Sequence, residues 1–216
     1  MASHRGFPIA KSKSSGRWLQ RHVKDPYVRK ARAEGFRSRA AYKLLEINTR
    51  DRLFMPGTLV VDLGAAPGGW SQVAAQKVAP GGKVIAVDLL EIAPISNVTV
   101  LHGDCREPSV QAQLAASLGG KRADVVLSDL SPNISGIASA DQARAAELVQ
   151  MAMDFCRERL QKEGVLLVKV FQGEEFAGLL KELKSMFREV RTLKPAASRE
   201  ESRETYLLAR GLKGIQ

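Results

Sequence analysis

Short runs rich in β-branched residues alternate with helical patterns along most of this chain, and that alternation narrows its fold more than any other feature. The runs lie at residues 58–62, 83–88, 98–102, 123–128, 164–170, 189–193 and 205–210. Helical patterns at 69–78, 107–118, 141–160 and 174–187 fill most of the gaps. Consecutive strands joined through helices return to the sheet by crossovers, so the pattern predicts an α/β fold with a mostly parallel sheet covered on both faces. Ser139 followed by Gln142 reads as a capping box opening the long helix, and Ser38 reads as the cap of a further helix over 39–48.

At 216 residues, 44% of them hydrophobic, the chain can bury one sizeable core. No window approaches the roughly 18 consecutive apolar residues of a membrane span. The first fifteen residues lack the apolar stretch of a secretory signal, so a cytoplasmic protein is expected, the alternative being an organellar transit sequence in the Arg/Lys/Ser-rich start. Cys105 and Cys156 are too few and too far apart for a disulfide framework or a zinc site, and His4, His22 and His102 do not cluster with them. No metal is expected. Nothing in the sequence signals dimerisation, which points to a monomer.

Charge is unevenly placed. Residues 1–40 hold eleven Lys and Arg against Asp25 and Glu34, while the whole chain carries a net +10, so the rest is almost balanced. Trp18, Tyr27 and Phe36 are interleaved with these cations. A basic stripe with stacking groups suits a nucleic acid; the plainer alternative is a solvated arm. The expected organisation is a basic arm over 1–37 followed by one domain over 38–212. Arg191, Lys194, Arg199 and Arg203 either extend the basic surface or are ordinary exposed cations.

The stretch VVDLGAAPGGWSQ, residues 60–72, is an apolar run that stops at an acid and becomes almost all Gly, Ala and Pro. It falls where the first strand gives way to a helix, the crevice in which open α/β sheets bind ligands. Small residues there let a ligand sit against bare backbone. The spacing Gly64-Ala65-Ala66-Pro67-Gly68-Gly69 does not fit the G-x-G-x-x-G of dinucleotide folds. Asp88, ending the next strand, suits a ribose diol, and Asp104 suits an adenine amino group. Acids ending successive strands around a Gly loop suggest a nucleoside ligand without a pyrophosphate, which describes S-adenosylmethionine.

Six ordered motifs, DLGAAPGGWSQ, VDLL, GDCRE, LSDLSPNISG, LVKVFQGE and SRETYLLA, closely resemble the FtsJ/RrmJ family of ribosomal RNA 2′-O-ribose methyltransferases, over about residues 18–210. The resemblance implies a class I S-adenosylmethionine-dependent methyltransferase fold, Rossmann-like, with seven strands and the last inserted antiparallel beside the fifth. It implies S-adenosyl-L-methionine as cofactor, held by the loop residues Gly64, Ala65, Pro67, Gly68, Gly69 and Trp70. Further cofactor contacts are expected from Asp88, Leu89, Asp104, Cys105 and Asp129. The implied substrate is a uridine in the aminoacyl-tRNA region of large-subunit ribosomal RNA, preferably within the assembled large ribosomal subunit.

The family's Lys-Asp-Lys-Glu catalytic set matches Lys43 in AYKLL, Asp129 in SDLSPN, Lys169 in LVKVF and Glu204 in SRETY. Lys43 read alone is equally a solvated helix lysine and Glu204 a surface acid. Lys169 interrupts a strand that should be buried on both faces, and a buried lysine without purpose is costly. Asp129 follows the fourth strand at its ligand-facing end. Lys169 is expected to orient and deprotonate the ribose 2′-hydroxyl, or to stabilise it electrostatically, with Asp129 and Lys43 fixing its geometry and Glu204 in support. Trp70 either packs in the core or touches cofactor, and Asn133 with Ser135-Gly136 belongs to a loop over the site.

Other readings remain at this stage. Transfer RNA as the 2′-O-methylation substrate and a non-catalytic ribosome-assembly factor are the alternatives. The segment Asp129-Leu130-Ser131-Pro132 is a poor match to the Asp/Asn-Pro-Pro-aromatic loop of amino-group methyltransferases, which ranks base methylation lower. A nicotinamide oxidoreductase is disfavoured by the loop spacing.

Overall fold

Seven strands form one sheet in the order β3-β2-β1-β4-β5-β7-β6. The computed structural model describes residues 25–132, 135–199 and 201–214. The basic positions from Arg5 to Lys24, the aromatic Trp18 and Asn133 therefore lie outside the described residues. The strands are β1 (Leu59–Leu63), β2 (Lys83–Asp88), β3 (Val98–His102), β4 (Ala123–Ser128), β5 (Leu160–Phe171), β6 (Phe187–Leu193) and β7 (Glu204–Leu212). Helices α1 (Pro26–Ala33), α2 (Ala40–Asp51), α3 (Gly69–Val78), α4 (Pro108–Leu118), α5 (Ala138–Arg159) and α6 (Phe176–Met186) complete the described chain. Every neighbouring pair from β3 to β5 is parallel, and β7 runs antiparallel to both β5 and β6. The expected architecture is thus observed, reversed seventh strand included.

Two cores follow from the period-2 alternation of buried strands. Leu59, Val61 and Leu63 face one side, packing with Leu114, Met153 and Leu183 from α4, α5 and α6. Val60 faces the other side, against Leu44, Ile47, Trp70 and Val73 from α2 and α3. Among the described residues, no helix is long and apolar enough to cross a membrane.

Three local expectations need correction, and one stretch gains detail. Within 25–37, assigned to the basic arm, lies the regular helix α1. Asp25 caps it by accepting from the Tyr27 N–H at 3.0 Å, Pro26 starts it, and Val28 and Ala31 are buried. Ser38 does not cap α2: the cap position is Arg39 and carries no side-chain bond, while the Ser38 hydroxyl lies where a Cβ on Gly69 would come within 2.3 Å of it. The Ser139–Gln142 capping box is also absent. Helix α5 begins at Ala138, so Ser139 is already inside, and Asp141 turns back instead to accept from the Ser135 N–H and hydroxyl at 2.8 and 2.7 Å. Finally, β5 starts at Leu160 rather than 164, because a register irregularity against Ala123–Val125 absorbs the polar residues between.

Candidate active site

The carboxyl ends of β1 to β5 lie along one edge of the sheet, and the expected site residues gather there from the loops after β1, β3 and β4, from the ends of β2 and β5, from the start of β7 and from α2. After β1 the chain turns sharply at Gly64 (φ +76°), where a Cβ would lie 2.2 Å from the Leu130 side chain. Only glycine fits there. The N–H groups of Gly64 and Ala65 donate to the Val87 carbonyl at 2.9 and 3.1 Å, tying the loop to β2. Gly68 precedes α3 without a side-chain cap, so the first-turn N–H groups from Gly69 onward have no partner within the helix and present an anion-favouring end.

Asp88 holds this loop. One of its oxygens accepts from the Ala66 N–H at 2.8 Å and the other from the Leu90 N–H at 2.8 Å. A carboxylate has about four lone-pair positions, so both oxygens keep acceptor capacity. Beside it Leu89 and Leu90 are 63% and 68% exposed, apolar surface open to a flat ring. Asp104 is gripped by Arg106, whose Nε and Nη2 donate at 3.0 and 2.6 Å, and those bonds hold its carboxyl below the usual carboxylate range. Cys105 is half-buried with its sulfur 3.1 Å from that of Met151, and burial pushes its thiol up to about 11. Pro67 is exposed, and its carbonyl accepts from Arg37 at 3.3 Å. The Trp70 indole is 3% exposed in the core, with its N–H donated to the Ala40 carbonyl at 2.8 Å; what Trp70 offers a ligand is its backbone N–H.

Lys43, Asp129, Lys169 and Glu204 come together in one hydrogen-bonded chain. Lys43 on α2 donates to Glu204 at 2.5 Å and to the Tyr206 hydroxyl at 3.1 Å. The Tyr206 hydroxyl donates to Asp129 at 2.9 Å, and the same oxygen lies 3.2 Å from the Lys169 nitrogen. Lys169 also donates to the Asp129 carbonyl at 2.8 Å and the Ser131 hydroxyl at 2.5 Å. Both lysines are buried, each 8% exposed. Burial pushes the Glu204 carboxyl up, but the charge and hydrogen bond of Lys43 outweigh it and leave it below its ordinary value. Burial, reinforced by Asp129 and Glu204, raises the Tyr206 phenol well above its ordinary value.

Three contributors escape the sequence reading. Tyr206 stands two residues after Glu204 and so shares its strand face, a signal that period-2 alternation carries. Ser131 follows Asp129 by two positions. Arg37, counted with the basic stripe, donates instead to the carbonyls of Pro67, Ala93 and Pro94 and clamps the Gly loop to the segment after β2. Arg39 is likewise engaged, by Asp25 and the Ala197 carbonyl.

The FtsJ-like methyltransferase family model matches residues 36–212. Ribosomal RNA large subunit methyltransferase E of Chromohalobacter salexigens is 52% identical over 203 residues, 94% of this chain and 97% of that protein. The protein of the same name from Pseudomonas aeruginosa PAO1 is 48% identical over 206 residues, 95% of this chain and all of that one. Among solved structures, a putative ribosomal RNA methyltransferase from Plasmodium falciparum superposes with a TM-score of 0.76 at 29% identity, covering 83% of this chain and 100% of its own. A putative rRNA-methylase from Clostridium thermocellum, at 17% identity and TM-score 0.54 over 76% of this chain and 94% of its own, shares the fold. The chain is a methyltransferase and belongs to the FtsJ-like family.

Proposed function

We propose that this enzyme transfers a methyl group from S-adenosyl-L-methionine to the 2′-hydroxyl of a uridine in large-subunit ribosomal RNA, on the assembled subunit, acting as a monomer in the compartment that holds ribosomes. The observation that carries the reaction is the chain Lys43–Glu204, Lys43–Tyr206–Asp129–Lys169, set beside the Gly loop. The names of the large-subunit methyltransferase relatives support the substrate.

The residues at the sheet edge fit the cofactor. Bare backbone at 64–68 admits close approach, Asp88 keeps acceptor capacity for a ribose diol, and exposed Leu89 suits an adenine face. When bound, the sulfonium supplies an already activated methyl group. The chain's own task is then to align the ribose oxygen and to stabilise it, because a 2′-hydroxyl is a very weak acid.

Lys169 is built for that task. The three N–H donors of an ammonium are matched by the Asp129 carbonyl, the Asp129 carboxylate and Ser131. The head group is therefore oriented before substrate arrives. A ribose oxygen taking the place of Ser131 would receive one N–H, a bond that strengthens as negative charge grows on oxygen. This geometry favours Lys169 as orienting and stabilising group, and as a base only after it has given up one of those protons. Lys43 and Glu204 hold Asp129 in place through Tyr206.

The test is transfer of a labelled methyl group to unmethylated large subunits, free ribosomal RNA and transfer RNA, followed by nucleoside analysis. 2′-O-methyluridine from subunits is the expected product. Label in transfer RNA would replace the substrate, label on a base would sink the ribose reading, and no label with intact cofactor binding would favour an assembly factor.

A further inference from the structure

Next to the lysine cluster lies a cavity of about 210 Å³ that neither the cofactor nor the four charged residues account for, lined by Ser131, Pro132, Gln142, Ala145, Phe171 and Arg203. Its position is fixed by Ser131, which both forms its wall and accepts from Lys169 at 2.5 Å. The Phe171 ring centre is 5.8 Å from the same Lys169 nitrogen. The cavity thus begins where the reacting ribose must sit.

Its chemistry is that of a base site. Phe171, Pro132 and Ala145 give apolar walls, one of them aromatic. Gln142 is held by accepting from the Glu174 N–H at 3.3 Å, and its amide N–H donors have no partner among the described residues. Arg203 stands exposed at the rim with its guanidinium unengaged among the described residues. At about 210 Å³ the space is smaller than the roughly 300–1,000 Å³ of sites for drug-sized ligands, which suits one ring system rather than two stacked nucleotides.

We propose that this cavity receives the base of the acceptor nucleotide, unstacked from its RNA, against Phe171 and Pro132, with the Gln142 amide donating to a base carbonyl and Arg203 meeting an adjacent phosphate. The inference rests on the RNA ribose reading above. It explains how a ribose is presented to Lys169: turning the nucleotide outward exposes its 2′-oxygen, and seating the base fixes the sugar.

Because the reacting oxygen is on the sugar, deleting the base leaves the nucleophile in place. Large-subunit RNA carrying either uridine or an abasic ribose at the target position, free and assembled into subunits, is compared with wild type, Phe171→Ala and Gln142→Ala. Base stacking on an aromatic side chain predicts a fall in kcat/KM for uridine RNA of roughly 5- to 150-fold in Phe171→Ala, with cofactor KM unchanged. On abasic RNA, wild type should fall to a similar level and the substitutions should add little further loss. Equal loss by either variant on both RNAs, or a wild type indifferent to base deletion, would overturn the pocket while leaving ribose methylation standing. No ribose methylation of any RNA by wild type would overturn the RNA reading and the pocket with it.

Discussion

Asp62 is the acid at which the apolar run of β1 meets the Gly loop, and replacing it with Asn should abolish the pH dependence of stability that arises at this position. The side chain is fully buried; one oxygen accepts from the Ser71 hydroxyl at 2.6 Å and the other has no hydrogen-bond partner among the described residues. Burial, aided by the negative charges of Asp129 and Asp88 and opposed by the Ser71 bond, pushes its carboxyl from 3.8 up to about 7. The folded chain therefore holds a proton that the unfolded chain has already lost over that range. Its contribution to stability is fully present below about pH 4 and is lost as pH rises to about 7. At about 1.4 kcal/mol for each tenfold change in proton concentration, the whole range corresponds to about 4 kcal/mol, of which about 3 lies between pH 5 and 7. Asp62→Asn cannot ionise, so urea denaturation of the two proteins at pH 5 and pH 8 should show the stability difference moving by about 3 kcal/mol in favour of Asn at the higher pH. Effects of titrating groups that do not interact with Asp62 cancel in that difference. A difference that stays constant with pH would refute the reasoning, because Asp62 would then carry the same charge folded and unfolded.

Lys169→Met should lower methyl transfer by about 100-fold or more while leaving cofactor affinity unchanged by calorimetry; full turnover would remove Lys169 from the mechanism. Glu204 is held below its ordinary value, so its contribution to stability is present above the usual carboxylate range and is lost as pH falls through its folded pKa. Thermal unfolding should accordingly show Glu204→Gln costing most near pH 7 and little near pH 3. Gly64→Ala forces a Cβ onto Leu130 at φ +76° and should cost about 1–3 kcal/mol, read by chemical denaturation, and weaken cofactor binding.

Legibility followed burial. β2 and β4 coincide with their sequence runs because strands covered on both faces leave continuous apolar stretches, such as VIAV at 84–87. Helix α1 escaped because its arginines and lysines dominate the composition, although Asp25, Pro26 and the buried pair Val28 and Ala31 carry a start signal and an apolar stripe. Lys169 was visible as a charge inside an apolar strand. Tyr206 was not, because a tyrosine at the end of an apolar run reads as core until the register of β7 against β5 is known. Arg37 misled for a related reason: a cation near other cations looks like a phosphate contact, and only the fold brings the carbonyls of Ala93 and Pro94 to it.

The reversed strand explains why the charged cluster can exist. Parallel strands end together, so Asp129 just past β4 and Lys169 near the end of β5 meet through the register Ser128 to Val168. An acid at the start of a parallel strand would lie at the opposite edge of the sheet. Because β7 is antiparallel, its first residues arrive where those of β5 leave: Glu204 pairs with Phe171, and Tyr206 with Lys169. Glu204 and Tyr206 then share the face that looks onto Lys43 of α2. A slip of one residue would turn Thr205 and Leu207 toward Lys43 instead and bury Glu204 against the opposite core. The register of β7 and the geometry of the charged chain are one constraint, so a change that loosens the Leu193–Tyr206 end of the β6–β7 pair can reach Lys169 without touching it.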